Sequence, residues 1–249
     1  MNKLIGNLVR SIARSLGFVI FRASSRLTWP EEDFRAQLFA KLKPDCVFDV
    51  GANSGQYALR LRESGFTGTI LSFEPNPRAF AALQEAAADD PQWHCYPIAL
   101  GAEKARLNFN VMAHDVLSSF NTLREEPEVA FIGGREVVQT LPVDVETLNA
   151  VLPRLKAEHG FKTPFLKIDT QGHDSEVLRG GSAVLQHFTG LSAEVSIIQL
   201  YEESRSIGES FTAFRAAGFY VVALFNVHPE ARIRQMVECD CYCIREDLV

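Results

Sequence analysis

The first thirty residues contain no aspartate or glutamate, although Lys3, Arg10, Arg14, Arg22 and Arg26 lie among them. The whole chain lacks any apolar run near the ~20 residues that a membrane-spanning helix needs. The longest run near the start is Leu16 to Phe21. The basic start is compatible with a signal peptide, but the run is short and no small-residue cleavage site follows, so secretion is not expected. Cysteine is scarce and odd in number: Cys46, Cys95, Cys239, Cys241 and Cys243. Three of the five crowd one segment, which does not suit a disulfide framework and points to a reducing cytoplasm. Internal repeats, low-complexity tracts and second-domain linkers are missing too. Basic surface is lacking beyond the N-terminus, where 20 basic side chains face 31 acidic ones. Broad nucleic-acid binding needs the opposite balance.

What remains is an ordinary globular composition. Of 249 residues, 47% are apolar and 22% charged, with a net charge of −6, which argues against disorder and for one sizeable core. Residues 1–30 read as a separate basic, helical N-terminal segment, and 31–249 as one domain. In residues 3–16, Leu4, Ile5, Leu8, Val9, Ile12 and Leu16 share a helix face, with Lys3, Asn7, Arg10 and Arg14 opposite. Such a helix suits peripheral contact with an anionic membrane surface. Packing across the domain, or at the seam of a homo-oligomer, explains it more economically.

From Glu31 onward the pattern is regular. Helix is expected over 32–42, ended by Pro44, which cannot continue the hydrogen-bond ladder. Strands at 46–50, 69–73 and 93–99 alternate with helices at 55–64 and 77–88. That order is the signature of a parallel, doubly wound α/β sheet. Further strands are expected over 106–112, 137–143, 165–168 and 191–198, and helices over 146–158, 174–185 and 209–217. Residues 113–136 form a long loop, a length often found in functional lids. The last two strands, 219–225 and 236–244, make an antiparallel hairpin at the sheet end. Cys239, Cys241 and Cys243 alternate on one side of the last strand and suit a buried apolar role.

The chemistry concentrates where strands end. Val47 to Gly55 is a strand running into a glycine-bearing turn that opens a helix. Gly51 lets the backbone turn tightly and lets a ligand lie against it. Asn53 stands where dinucleotide motifs often place glycine, and asparagine tolerates positive φ. Gly55 permits close helix–strand approach. Glu74 ends the next strand and can accept hydrogen bonds from both hydroxyls of a cofactor ribose. Asp169 ends a strand expected beside that of Asp49, where strand order reverses and ligands bind. Asp169 also suits a helix N-cap. The turn by itself admits any nucleotide cofactor.

Several ordered motifs narrow this. Asp49-Val-Gly-Ala-Asn-Ser-Gly-Gln-Tyr57, Phe73-Glu-Pro-Asn-Pro77, and Leu166-Lys-Ile-Asp-Thr-Gln-Gly-His-Asp174 with Glu176-Val-Leu-Arg-Gly180 resemble the FkbM family of methyltransferases. Ala193-Glu194-Val195, Tyr201-Glu202, Ala217-Gly218-Phe219 and Cys239-Asp240-Cys241-Tyr242 extend the resemblance over about residues 45–246. Cys241 and Cys243 depart from it, since larger apolar residues are commoner there.

The resemblance implies a class I methyltransferase sheet of seven strands, the last antiparallel. It implies S-adenosylmethionine as cofactor, bound by Asp49, Gly51, Asn53, Gly55, Tyr57, Glu74 and Asp169. It also implies O-methylation of a carbohydrate-bearing acceptor such as a glycan, glycolipid or glycosylated natural product. Asp169 would face the sulfonium or ammonium of the cofactor.

A sugar hydroxyl is a weak nucleophile, so a base is expected. His173, on the crevice rim, leads the candidates, with Glu194 and Asp169 beside it. A cap or surface histidine, and a carboxylate that holds loop N–H groups, are the plain alternatives. Asp169, Glu194 and Asp240 could gather a divalent cation, but strand-end carboxylates in nucleotide folds more often bind hydroxyls. A nicotinamide-dependent oxidoreductase and a non-catalytic nucleotide-binding module are the rival readings. Asn53 and the terminal hairpin stand against the first.

Overall fold

The computed structural model describes residues 29–125, 133–227 and 236–249. The amphipathic helix expected at 3–16, and its membrane or subunit contacts, lie outside the described residues. By internal contacts the chain divides into units 1–38 and 39–249. The described part of the first is most of helix α1 (Trp29–Leu42), which the pattern placed at 32–42.

The larger unit is built on a seven-stranded sheet. In chain order its elements are β1 (Cys46–Val50), α2 (Gln56–Glu63), β2 (Thr69–Phe73), α3 (Pro77–Ala87), β3 (Trp93–Tyr96), β4 (Ala99–Leu100), β5 (Ala105–Met112), β6 (Val137–Glu146), α4 (Leu148–His159), β7 (Pro164–Ile168), α5 (Asp174–Gly180), β8 (Gly190–Ser196), α6 (Ile207–Ala216), β9 (Phe219–Asn226) and β10 (Glu238–Arg245). The main sheet runs β3-β2-β1-β7-β8-β10-β9. The pairings from β3 to β8 are parallel, whereas β10 is antiparallel to both β8 and β9. The expected hairpin is therefore present, with its second strand inserted between β8 and β9. Strand order reverses between β1 and β7, where Val50 is level with Ile168.

β1, β2 and β7 are buried along their whole length, as central parallel strands are. Phe48, on β1, packs against Phe73, Phe161 and Phe188 at ring separations of 5.8, 5.6 and 5.3 Å. Cys239, Cys241 and Cys243 belong to the same apolar face, all as free thiols. The opposite face carries polar residues. Ser72, Asp49, Lys167 and Ser192 are level with one another across β2, β1, β7 and β8.

One expectation about strands needs correction. Residues 93–99 do not form one strand: Trp93–Tyr96 join the main sheet and Ala99–Leu100 a second one. Pro97 lies between them and has no N–H to give to a ladder. The second sheet, β4-β6-β5, is separate and holds the two strands expected at 106–112 and 137–143. The helix expected from Glu146 starts two residues later because the Thr147 side chain caps it, accepting from the Ala150 N–H at 3.2 Å. Among the described residues no helix is long and apolar enough to cross a membrane.

Candidate active site

The turn after β1 is made of left-handed backbone. Gly51, Asn53 and Gly55 have φ of 75°, 48° and 87°. A Cβ on Gly51 would lie 1.8 Å from the Asp169 carbonyl oxygen, so the turns after β1 and β7 touch there with no room for a side chain. Gly51 and Ala52 donate their N–H groups to the Phe73 carbonyl at 3.0 and 3.1 Å, which ties the same turn to the end of β2. Gly55 packs on the Trp93 indole, which a Cβ would approach to 2.8 Å.

Glu74 follows β2 and is buried. Its two carboxylate oxygens accept the Asn53 N–H at 2.7 Å and the Asn76 N–H at 2.8 Å. Burial pushes its pKa up to about 7, against the opposing pull of those N–H groups and of Lys167. A carboxylate has about four acceptor positions, so two remain. Asn76 then caps α3 by accepting from the Arg78 N–H.

Asp49 is completely buried at the floor. It accepts from the Ser72 hydroxyl at 3.2 Å and lies 3.0 Å from the Lys167 ammonium. Ser72 in turn accepts from the Trp93 indole N–H at 2.9 Å. Lys167 also donates to the Gly51 carbonyl at 2.9 Å and lies 3.5 Å from Asp169. Burial alone would lower the Lys167 pKa, but Asp49 and Asp169 outweigh it and hold the ammonium above its ordinary value. Lys167 is a site residue that sequence reasoning missed. The visible signal was a lysine between the hydrophobic residues of a fully buried strand, where a charge requires a partner.

A crevice of about 250 Å³ lies over this floor. Gly51, Asn53, Tyr57, Glu74, Lys167 and Asp169 line it, with Pro75, Ala99 and Leu100 adding apolar surface. Phe109 of β5, Phe120, Asp115 and Ser118 of the long loop, and Gln171 line it too. Asp115 and Ser118 come from the long loop, whose Ser119 exchanges backbone hydrogen bonds with Asn110 of β5 at 2.9 and 3.1 Å. That part of the loop is pinned to the second sheet. Of the expected cofactor residues, Asp49 and Gly55 support the crevice from below without lining it.

The three base candidates separate. Asp169 lines the crevice with its side chain 40% exposed. His173 does not. It is buried against Phe120, with ring centroids 4.6 Å apart, and is absent from the lining. Burial and then the Arg179 charge push its pKa down to about 4, and its Nε2 has no hydrogen-bond partner. The rim position expected for His173 is therefore corrected: it starts α5, and its ring turns inward. Glu194 lies behind the crevice, in a cavity of about 30 Å³ beside Asp174, Ser204 and Arg205. That cavity has room for little more than water. Burial, then Glu238, Asp169, Asp240 and Asp174, raise the Glu194 pKa well above the carboxylate range. Asp240 is level with Glu194 on β10. Among the described residues, no three His, Cys, Asp or Glu side chains are grouped to hold a metal ion, Asp169, Glu194 and Asp240 included.

Gln171 joins these parts. Its φ is 53°, and Gly172 follows at 86°. Its side-chain amide donates to Asp169 Oδ1 at 2.9 Å and to Glu194 Oε2 at 3.1 Å. Its amide oxygen lies 3.0 Å from the Tyr201 hydroxyl, and its main-chain carbonyl accepts from Ser119 at 2.6 Å.

A mostly parallel sheet with a crevice at the reversal of strand order, a left-handed turn against it and an acidic residue at the next strand end define a nucleotide-cofactor α/β protein. The chain belongs to the Methyltransferase FkbM domain family, whose model matches residues 49–221. It is an S-adenosylmethionine-dependent methyltransferase, which removes the nicotinamide oxidoreductase reading. It is 27% identical over 173 residues to the 2-O-methyltransferase NoeI of Sinorhizobium fredii, covering 64% of this chain and 67% of that protein. It is 26% identical over 153 residues to Methyltransferase 1 of Beauveria bassiana, covering 54% of this chain and 57% of that protein. Among solved structures, magnesium protoporphyrin IX methyltransferase from Synechocystis PCC 6803 aligns at a TM-score of 0.46 and 11% identity, over 87% of this chain and 78% of that one.

The crevice fits the methyl donor. Buried Glu74 has acceptor positions left for hydroxyls, Pro75, Ala99 and Leu100 give an apolar wall, and Asp169 offers negative charge.

Proposed function

We propose that this methyltransferase transfers a methyl group to a hydroxyl of a carbohydrate-bearing acceptor. The observation that carries the reading is the part of the crevice lining that comes from β5, the long loop and Gln171. Phe109 and Phe120 present aromatic surface, while Asp115, Ser118 and Gln171 present hydrogen-bonding groups around it. Flat aromatic surface bordered by polar side chains suits the alternating C–H and O–H faces of a sugar. The name of the Sinorhizobium fredii relative, a 2-O-methyltransferase, supports a hydroxyl as the receiving group. The acidic body supports an acceptor other than nucleic acid.

In this reading Glu74 binds the ribose hydroxyls, and the turn from Gly51 to Asn53 holds the cofactor backbone-close. Asp49 and Gly55 support that turn, and Tyr57 covers Lys167, whose ammonium lies 5.5 Å from the ring centroid. The bound cofactor supplies a methyl group already activated on a sulfonium. The protein's task is then alignment and removal of one proton. Asp169 attracts the cationic end of the donor and takes the proton from the acceptor hydroxyl. Of the three base candidates it is the one that lines the crevice. Lys167, with Asp49 behind it, places a positive charge 3.5 Å from Asp169 at the floor of the crevice.

The test is incubation of the full chain with methyl-labelled S-adenosylmethionine and fractionated glycolipids and oligosaccharides. The expected product is a labelled methyl ether on a sugar carbon, located by linkage analysis. Label on an amine or a carboxyl group, or no acceptor-dependent label in any fraction, overturns the reading. The last outcome favours a non-catalytic binding module.

A further inference from the structure

We infer that Gln171 is a positioning residue of the donor site: its amide, wedged between Asp169 and Glu194 and oriented by Tyr201, holds the Asp169 carboxylate toward the crevice. The inference rests on the reading of Asp169 as the crevice carboxylate and adds what sets its direction.

The backbone comes first. A glutamine at φ 53° is uncommon, because its Cβ crowds the backbone in that region. The conformation is supported from several directions. Ser119 donates to the Gln171 carbonyl, and a Cβ on Gly172 would come within 2.9 Å of the Tyr201 ring and 3.0 Å of the Asn121 amide. This left-handed pair delivers the Gln171 side chain between two acids. Held strain of this kind is a recognised mark of functional positions.

The amide is then used in full. Its two hydrogens go to the two carboxyl groups and its oxygen faces the Tyr201 hydroxyl. The partners fix this orientation, since the flipped amide would set its oxygen against a carboxylate oxygen of Asp169 and turn its N–H groups toward the Tyr201 hydroxyl. The Tyr201 hydroxyl also lies 3.1 Å from the Leu117 carbonyl, and its single proton can serve either acceptor. Asp169 is thereby held from both sides. Its Oδ1 accepts from Gln171 at 2.9 Å, and its Oδ2 lies 3.5 Å from Lys167. Without Gln171 the carboxylate is free to turn toward the ammonium at the floor, away from the donor.

The charged surroundings make this more than packing. The groups around the amide are Lys167 from β7, Asp169 directly after it, Asp174 from α5, Glu194 from β8, Glu238 and Asp240 from β10, and Tyr201 from the segment after β8. A neutral double donor satisfies one oxygen of Asp169 and one of Glu194 at once, whereas a carboxylate at the same place would add a further acceptor to an already acidic cluster.

The experiment is calorimetric titration of S-adenosylmethionine into the full chain and its variants, with thermal melting alongside. Asp169→Asn and Gln171→Ala are each expected to weaken binding about tenfold, the worth of a hydrogen bond to a charged group. The double variant should bind no more weakly than Asp169→Asn alone, because the two residues act as one unit. Gln171→Glu should bind poorly at pH 8 and recover in part relative to wild type as the pH falls toward 5, when a protonated carboxyl can donate its one proton to Asp169. A purely structural role moves neither the coupling nor that pH ratio. If Gln171→Ala fails to fold, Tyr201→Phe frees the amide while keeping the ring, and a smaller loss of the same sign is expected. Wild-type affinity in Gln171→Ala, additive losses in the double variant, or a pH-independent ratio for Gln171→Glu overturns the inference while the donor site stands. Unchanged affinity in both Asp169→Asn and Glu74→Gln overturns the donor site itself, and the inference with it.

Discussion

The turn after β1 and the turn after β7 stand on neighbouring strands and open the same crevice, but they are built from different material. The first works through backbone. Gly51, Asn53 and Gly55 adopt left-handed conformations, and main-chain N–H groups reach Phe73 and Glu74. The second works through side chains. Lys167, Asp169 and Gln171 form a chain of charges and amides that runs from Asp49 on β1 to Glu194 on β8. A backbone site is rigid and indifferent to pH, and it fails when a Cβ is added. A site of buried charges fails when one partner is removed, and it responds to protons.

The largest effect expected is at the point where the turns meet. Gly51→Ala puts a Cβ 1.8 Å from the Asp169 carbonyl at a φ of 75°. A loss of about 4 kcal/mol or more in urea denaturation is expected, the range reserved for strain and overpacking. A loss below about 1 kcal/mol would show that the two turns do not lock each other.

Next comes Lys167→Met, which leaves Asp49 buried without its cation. Breaking such a pair from one side costs about 3–5 kcal/mol. Adding Asp49→Asn should return much of that loss, because both groups are then neutral. If the double variant is as unstable as the single one, packing of the lysine stem outweighs its charge and the contrast between the two turns weakens.

The smallest effect sharpens the contrast from the other side, because Glu74 is the charged member of the backbone-built half. Ribose hydroxyls donate to the ionised carboxylate, so binding favours deprotonated Glu74 and lowers its pKa in the complex. With a free-protein pKa of about 7, donor affinity should be full above that pH. Below it, affinity should fall by up to about tenfold per pH unit. Glu74→Gln should bind more weakly and lose this dependence. Titration calorimetry between pH 5.5 and 8.5 measures both, and an unchanged slope in Glu74→Gln would assign the dependence to another group.

Much of this half of the site is legible in the sequence because its causes are local. Gly51 and Gly55 mark positive φ by residue type, and Asn53 adopts it as its tolerance suggests. Glu74 and Asp169 are placed by strand ends that hydrophobic runs reveal. The other half is less legible. His173 follows Asp169 by four residues, yet its ring turns into the core against Phe120, 53 residues away in sequence. Glu194 lies on a strand as expected, within β8, but it does not line the crevice, and the Gln171 amide bonds to it instead. Lys167 lies inside a motif whose carboxylates drew attention first.

The sequence by itself determined the alternation of strands and helices, the terminal hairpin, the left-handed turn after β1 and the two acids that end β2 and β7. Those features follow from periodicity and from the conformational range of single residues, which act over a few positions. Only the tertiary structure decided that β10 slots between β8 and β9, that Pro97 divides one expected strand between two sheets, and which of the three base candidates lines the crevice. It also decided that Asp49 and Lys167 pair beneath the crevice and that Gln171 stands between Asp169 and Glu194. These outcomes depend on which side chains meet across strands far apart in sequence. A buried charge or amide takes its meaning from the partner it finds there.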